Sequence, residues 1–77
     1  MEKYVTIKLF ATLKKYTPAD ADHYPITPGT KLRTLLDLLE IPEDSARIMF
    51  IDGVKGVLDS TLEGGETVSL FPPIGGG

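Results

Sequence analysis

The chain has no cysteine, no tryptophan and a single histidine in 77 residues. Without cysteine there is neither a disulfide nor a thiolate metal site, so the fold must close on packing alone, as expected of a cytosolic protein. The lone His23 has no second histidine with which to share a metal and no partner at a spacing distinctive of a catalytic triad. Its neighbours Asp20 and Asp22 read as a solvated loop. Positive charge is also scarce. Eight basic residues against eleven acidic ones leave a net charge of −3, and no basic cluster interleaves with aromatics, which argues against nucleic-acid binding. No stretch approaches the ~20 apolar residues of a membrane span, and the first residues lack an apolar run of signal-peptide length. The expectation is a soluble, cytoplasmic chain. No pair of carboxylates has a distinctive spacing, so catalysis by the chain itself is not expected.

What is present is a series of short, well-punctuated segments that fit one domain over 1–77. At this length a chain buries about 60% of the surface its unfolded form exposes, near the lower limit for an unaided core. Residues 4–10 alternate, with Val5, Ile7 and Leu9 on one face and Thr6 and Lys8 on the other, which predicts a half-buried strand. Ala11 to Tyr16 leads into a turn and 17–22 is polar loop. His23 to Thr27 predicts a second strand pairing back antiparallel, and Pro25, unable to donate a ladder hydrogen bond, places it at a sheet edge.

Pro28-Gly29 breaks the chain, and Thr30 is the candidate N-cap of a helix about ten residues long. Leu32, Leu35, Leu36 and Leu39 follow the i, i+3, i+4, i+7 spacing of one buried face, and Leu38 falls off that stripe. Pro42 disfavours helical geometry at Ile41 and is expected to end the helix there. After a linker, Pro42 to Ala46, the apolar run 48–51 reads as a strand inside a sheet. Asp52-Gly53 marks a tight turn, and Val54 to Leu58 returns as a short strand. Glu63-Gly64-Gly65-Glu66 is a turn rather than a phosphate cradle, because no helix follows it. Residues 67–71 alternate again. The order is ββαβββ, an α+β arrangement in which the last strand can lie parallel to the first through a right-handed crossover. That would put the end of the chain at the end of a central strand.

The final residues are Phe71-Pro72-Pro73-Ile74-Gly75-Gly76-Gly77. Glycine has no Cβ, so such a tail threads a narrow slot and presents an unshielded carboxylate on Gly77. Extended, the four residues from Ile74 reach on the order of 13 Å beyond the fold, enough to enter a partner's buried site. The tail 74–77 is expected to be flexible by itself, with Gly75 and Gly76 supplying clearance and the prolines fixing φ. Phe71, Pro72, Pro73 and Ile74, extended by Phe10, are the candidate docking patch. Alternation from Val68 and Leu70 points Phe71 to the opposite face, leaving it either core or contact surface.

Asp52-Gly53, the stretch Leu58 to Phe71 and the F-P-P-I-G-G-G ending resemble the C-terminal half of the small subunit of molybdopterin synthase. That family has D-x-x-L, then a G-[GD]-E-V turn and strand, then F-P-P-[VI]-x-G-G. Val5 to Leu13 resembles its first strand, so the likeness covers essentially the whole chain. A bare terminal diglycine is shared by the thiazole-pathway sulfur carrier and by ubiquitin-like modifiers, whereas the Phe-Pro-Pro element is more specific. Gly75 departs from the pattern and loosens the tail.

The resemblance implies a β-grasp, ubiquitin-like fold: a mixed sheet of about four to five strands with one main helix packed on one face. It also implies a sulfur carrier that binds no cofactor. A ubiquitin-activating-type adenylyltransferase, using ATP and magnesium, would convert the Gly77 carboxylate to an acyl-adenylate. A sulfur donor protein would displace AMP to leave a thiocarboxylate, and the large catalytic subunit would take that sulfur for molybdopterin, the molybdenum or tungsten cofactor. Three other readings stay open: a carrier for thiamine thiazole or another sulfur product, a modifier joined to lysines of target proteins, and an inert β-grasp interaction module.

Overall fold

In the computed structural model, residues 3–73 are described. Alternation becomes strand where expected: β1 spans Lys3–Leu9 and turns Val5, Ile7 and Leu9 into the core. The following segment, Ala11–Tyr16, is a 3₁₀ helix that buries Leu13, 1% exposed and not foreseen as core. His23 closes a 3₁₀ turn, Ala21–His23, ahead of β2, Tyr24–Ile26, which pairs antiparallel with β1 at the sheet edge. β4 is Ile48–Ile51 and β7 is Thr67–Phe71. With β5 at Val54–Lys55, the main sheet runs β2-β1-β7-β4-β5, with β7 parallel to β1 and antiparallel to β4.

Two strands of two residues each were not legible in the sequence. β3, Thr30–Lys31, pairs antiparallel with β6, Thr61–Leu62, in a separate small sheet. This pairing displaces the expected cap. The helix α1 is Leu32–Leu38, and Lys31, not Thr30, stands at its N-cap without a side-chain hydrogen bond. Backbone carbonyls take over instead: the Leu32 N–H donates to Ser60 O at 2.8 Å and the Arg33 N–H to Leu58 O at 2.9 Å. The first-turn amides that a helix leaves orphaned are thus satisfied by a neighbouring segment.

The helix also stops earlier than the proline rule suggests. Glu40 has φ +61°, the left-handed conformation. The Ile41 N–H reaches back to Leu36 O at 2.9 Å and the Glu40 N–H to Asp37 O at 3.1 Å. These paired bonds form a Schellman stop, two residues before Pro42. Leu32, Leu35 and Leu36 are fully buried and Leu39 is 8% exposed, whereas Leu38 is 58% exposed. The stripe is core, packed against Val5, Ile7, Leu9, Met49, Val68 and Leu70 in one cluster. Each such leucine contributes roughly 1.5–3 kcal/mol relative to exposure.

At Asp52-Gly53 both residues have positive φ, +53° and +82°, between the paired residues Ile51 and Val54. That is the backbone twist a two-residue hairpin requires. β5 covers only Val54–Lys55, shorter than the expected strand to Leu58. Gly56 still donates to Met49 O at 2.8 Å. Beyond it, Val57 and Ser60 bond to each other through the Ser60 hydroxyl and backbone, each at 3.0 Å, and turn the chain away.

Candidate functional site: the open sheet face beside the chain exit

One face of the main sheet is covered by α1, and the other collects the side chains that strand alternation sends outward. On β7, Val68 and Leu70 are buried inward, so Thr67, Ser69 and Phe71 face out. Ladder register then decides their neighbours. Phe71 lies opposite Ile48, and Ser69 lies between Lys8 on β1 and Phe50 on β4. The apolar run 48–51 is therefore two-faced. Met49 is buried in the core, while Ile48 and Phe50 join Phe71 outside.

The end of β1 brings in Phe10. Its N–H donates to Leu70 O at 3.2 Å, which carries the parallel ladder one residue past Leu9. The chain then turns at Ala11, with φ +54°, and the Leu13 N–H returns to Phe10 O at 3.0 Å. This leaves the Phe10 ring stacked on Phe71, with centroids 4.4 Å apart and planes 5° from parallel. Phe50 meets Phe71 edge-on at 5.9 Å and 88°. Such aromatic geometries contribute about 0.5–1.5 kcal/mol beyond the area they bury. Phe71 is thus neither core nor isolated surface. It is the half-buried centre of an aromatic cluster on the open face.

An apolar groove of about 370 Å³ opens beside this cluster, lined by Ala11, Ile48, Phe50, Phe71, Pro72 and Pro73. The structure brings together four of the sequence-derived docking residues: Phe10, Phe71, Pro72 and Pro73. Ile74, Gly75, Gly76 and the reactive-end candidate Gly77 lie outside the described residues. Ile48 and Phe50 were missed as surface residues, because an unbroken apolar run hides which members face outward until pairing with β7 is known.

A second, more polar depression of about 440 Å³ lies among Lys3, Tyr4, Thr6, Asp22, His23 and the turn 64–66. The rings of Tyr4 and His23 stack there at 3.6 Å. The Glu66 carboxylate accepts from the Glu63 N–H at 2.8 Å and the Gly64 N–H at 2.7 Å, holding the turn. Its role is structural. Among the described residues no group of three or more His, Cys, Asp or Glu side chains could hold a metal ion, and no helix among them is long and apolar enough to cross a membrane.

Neither a family model nor a curated protein matches the chain. Solved structures do. A protein described as molybdopterin converting factor subunit 1 from Pyrococcus furiosus superposes with a TM-score of 0.64 at 20% identity, covering 94% of this chain and 99% of the other. SAMP1 from Haloferax volcanii gives a TM-score of 0.64 at 21% identity, covering 95% and 98%. A five-stranded mixed sheet gripping one main helix, matched over nearly its full length by these two structures, gives this chain the ubiquitin-like β-grasp fold.

Proposed function

We propose that the chain is a ubiquitin-like sulfur carrier whose reactive group is the carboxylate of Gly77. The observation that carries this reading is the exit of Pro72 and Pro73 from the central strand β7 along an apolar groove, with Ile74-Gly75-Gly76-Gly77 next in sequence. A central strand is anchored on both sides, so it fixes where the tail begins. The apolar groove offers a partner a place to grip before the glycines enter its active site. Ordering those glycines costs about 1–2 kcal/mol each, which burial of Phe71, Pro72 and the neighbouring rings would offset.

In this reading an adenylating enzyme, with ATP and magnesium, lets the Gly77 carboxylate attack the α-phosphorus, releasing pyrophosphate. A sulfur donor at the sulfide level then attacks the carbonyl carbon, AMP leaves, and a thiocarboxylate remains. Side chains on the last residues would crowd the approach, which needs reacting atoms about 3–3.5 Å apart. The Phe-Pro-Pro ending, together with the likeness to a protein described as a molybdopterin converting factor subunit, supports molybdopterin as the product and a synthase large subunit as the acceptor.

The test is incubation with the adenylating enzyme of the same genome, ATP, magnesium and a sulfide donor, read by intact mass. Replacement of one oxygen by sulfur at the C-terminus is expected. Its absence, with the enzyme active on another carrier, overturns the reading.

A further inference from the structure

The sequence contains no asparagine and six aspartates, of which only Asp52 is followed by glycine. In an aspartyl-glycine pair the backbone amide reaches the side-chain carboxyl with least obstruction, because glycine has no Cβ to shield its own nitrogen. The reaction closes a five-membered imide. The Gly53 nitrogen bonds to Cγ of Asp52, its proton passes to solvent, and the carboxyl oxygen leaves as water. Water then opens the ring at either carbonyl, and opening at the α-carbonyl leaves isoaspartate, with the main chain routed through Cβ. The elemental composition is unchanged, and no oxidant, reductant or cofactor enters.

The fold sets a condition on this chemistry. Asp52 and Gly53 are both exposed, and a Cβ on Gly53 would meet nothing within 4 Å, so access is open. Conformation is what is closed. The φ values of +53° and +82° are those of a type I′ turn, whose first central residue has ψ of roughly +30°. At that ψ the Gly53 nitrogen lies nearly opposite Cβ about the Cα–C bond, whereas the imide needs the two almost eclipsed. Asp52 is held against this rotation at two points: its N–H donates to Thr67 O and its Oδ1 accepts from the Thr67 N–H, each at 2.9 Å. The lock is nevertheless local. β5 is a two-residue edge strand paired with β4 alone, and Val54 is 69% exposed. Lifting it uncovers little apolar surface, so this opening costs far less than global unfolding.

We propose that Asp52-Gly53 is an isoaspartate-forming modification site, closed in the native hairpin and reached by local opening of β4 and β5. Once formed, the isoaspartyl residue adds a methylene to the turn and frees the α-carboxylate in place of the side-chain one, so the pair of bonds to Thr67 no longer fits. The enzyme class that would act on the product is a methyltransferase that esterifies isoaspartyl α-carboxylates. The proposal is independent of the sulfur-carrier reading.

The experiment ages the full chain and a synthetic peptide of residues 48–57 side by side at neutral pH. Isoaspartate is counted by methyl transfer from S-adenosylmethionine with an isoaspartyl methyltransferase, and is placed by fragmentation mass spectrometry. Product at Asp52 is expected in both, about tenfold to a hundredfold more slowly in the folded chain. Below the unfolding transition the rate should hold within about twofold as urea is raised, because the opening exposes little surface. Asp52→Glu, which would require a six-membered ring, should lose the signal in chain and peptide alike. Equal rates for chain and peptide would show that the turn closes nothing. No product in the folded chain after the peptide has fully converted, product chiefly at another aspartate, or a rate that climbs with urea as steeply as global unfolding also overturns the proposal.

Discussion

The rings of Phe10 and Phe71 lie in a parallel stack, 4.4 Å between centroids, although sixty-one positions separate the residues in the chain. A double-mutant cycle measures what that contact contributes. Phe10→Ala and Phe71→Ala are each expected to lower stability by about 1–2 kcal/mol in urea denaturation, with a coupling of roughly 0.5–1.5 kcal/mol between them. A coupling near zero would mean the two rings pack independently.

Gly64 and Gly53 both have positive φ but differ in the space around them. A Cβ on Gly64 would stand 2.7 Å from the Cβ of Lys3, which is fixed to the β1 backbone, whereas one on Gly53 would meet nothing within 4 Å. Gly64→Ala is expected to cost more than about 2 kcal/mol and Gly53→Ala about 1 kcal/mol, read from denaturation midpoints. Equal costs would show that Lys3 yields freely.

Glu40 occupies the left-handed position of the Schellman stop without being glycine. Glu40→Gly removes the Cβ strain and keeps both backbone bonds, so a gain of about 0.5–1 kcal/mol is expected in thermal or chemical unfolding. Loss of stability on this change would place the stop elsewhere.

Tyr24 is pushed above the usual phenol range, first by partial burial and second by the nearby charge of Asp20. The folded state therefore holds the phenol proton more tightly than the unfolded state. That contribution is complete below the ordinary phenol pKa and is lost as pH rises through the higher folded value. Stability measured across the alkaline range should fall less steeply in Tyr24→Phe than in the wild type.

Deletion of Gly76 and Gly77 tests the proposed role of the Gly77 carboxylate. The core cluster runs from Val5 to Leu70, so the melting temperature is expected to change by less than about 1 °C while thiocarboxylate formation disappears. Sulfur transfer that survives the deletion would assign the chemistry to another group.

The sequence by itself determined the inward faces: Val5, Ile7 and Leu9 on β1, Val68 and Leu70 on β7, and the leucine stripe of α1. It also determined the Asp52-Gly53 turn and the Pro-Pro exit, because these depend on periods of 2 and 3.6 and on local backbone preference. Tertiary structure decided the rest. Thr30 went into a small sheet by pairing with Leu62, leaving the carbonyls of Leu58 and Ser60 to cap α1, and Glu40 ended the helix through backbone bonds that no residue preference announces. The aromatic cluster likewise exists only once β1, β7 and β4 are set in register. Alternation along a strand tells which side a residue faces, but pairing between strands distant in the chain determines what it faces there.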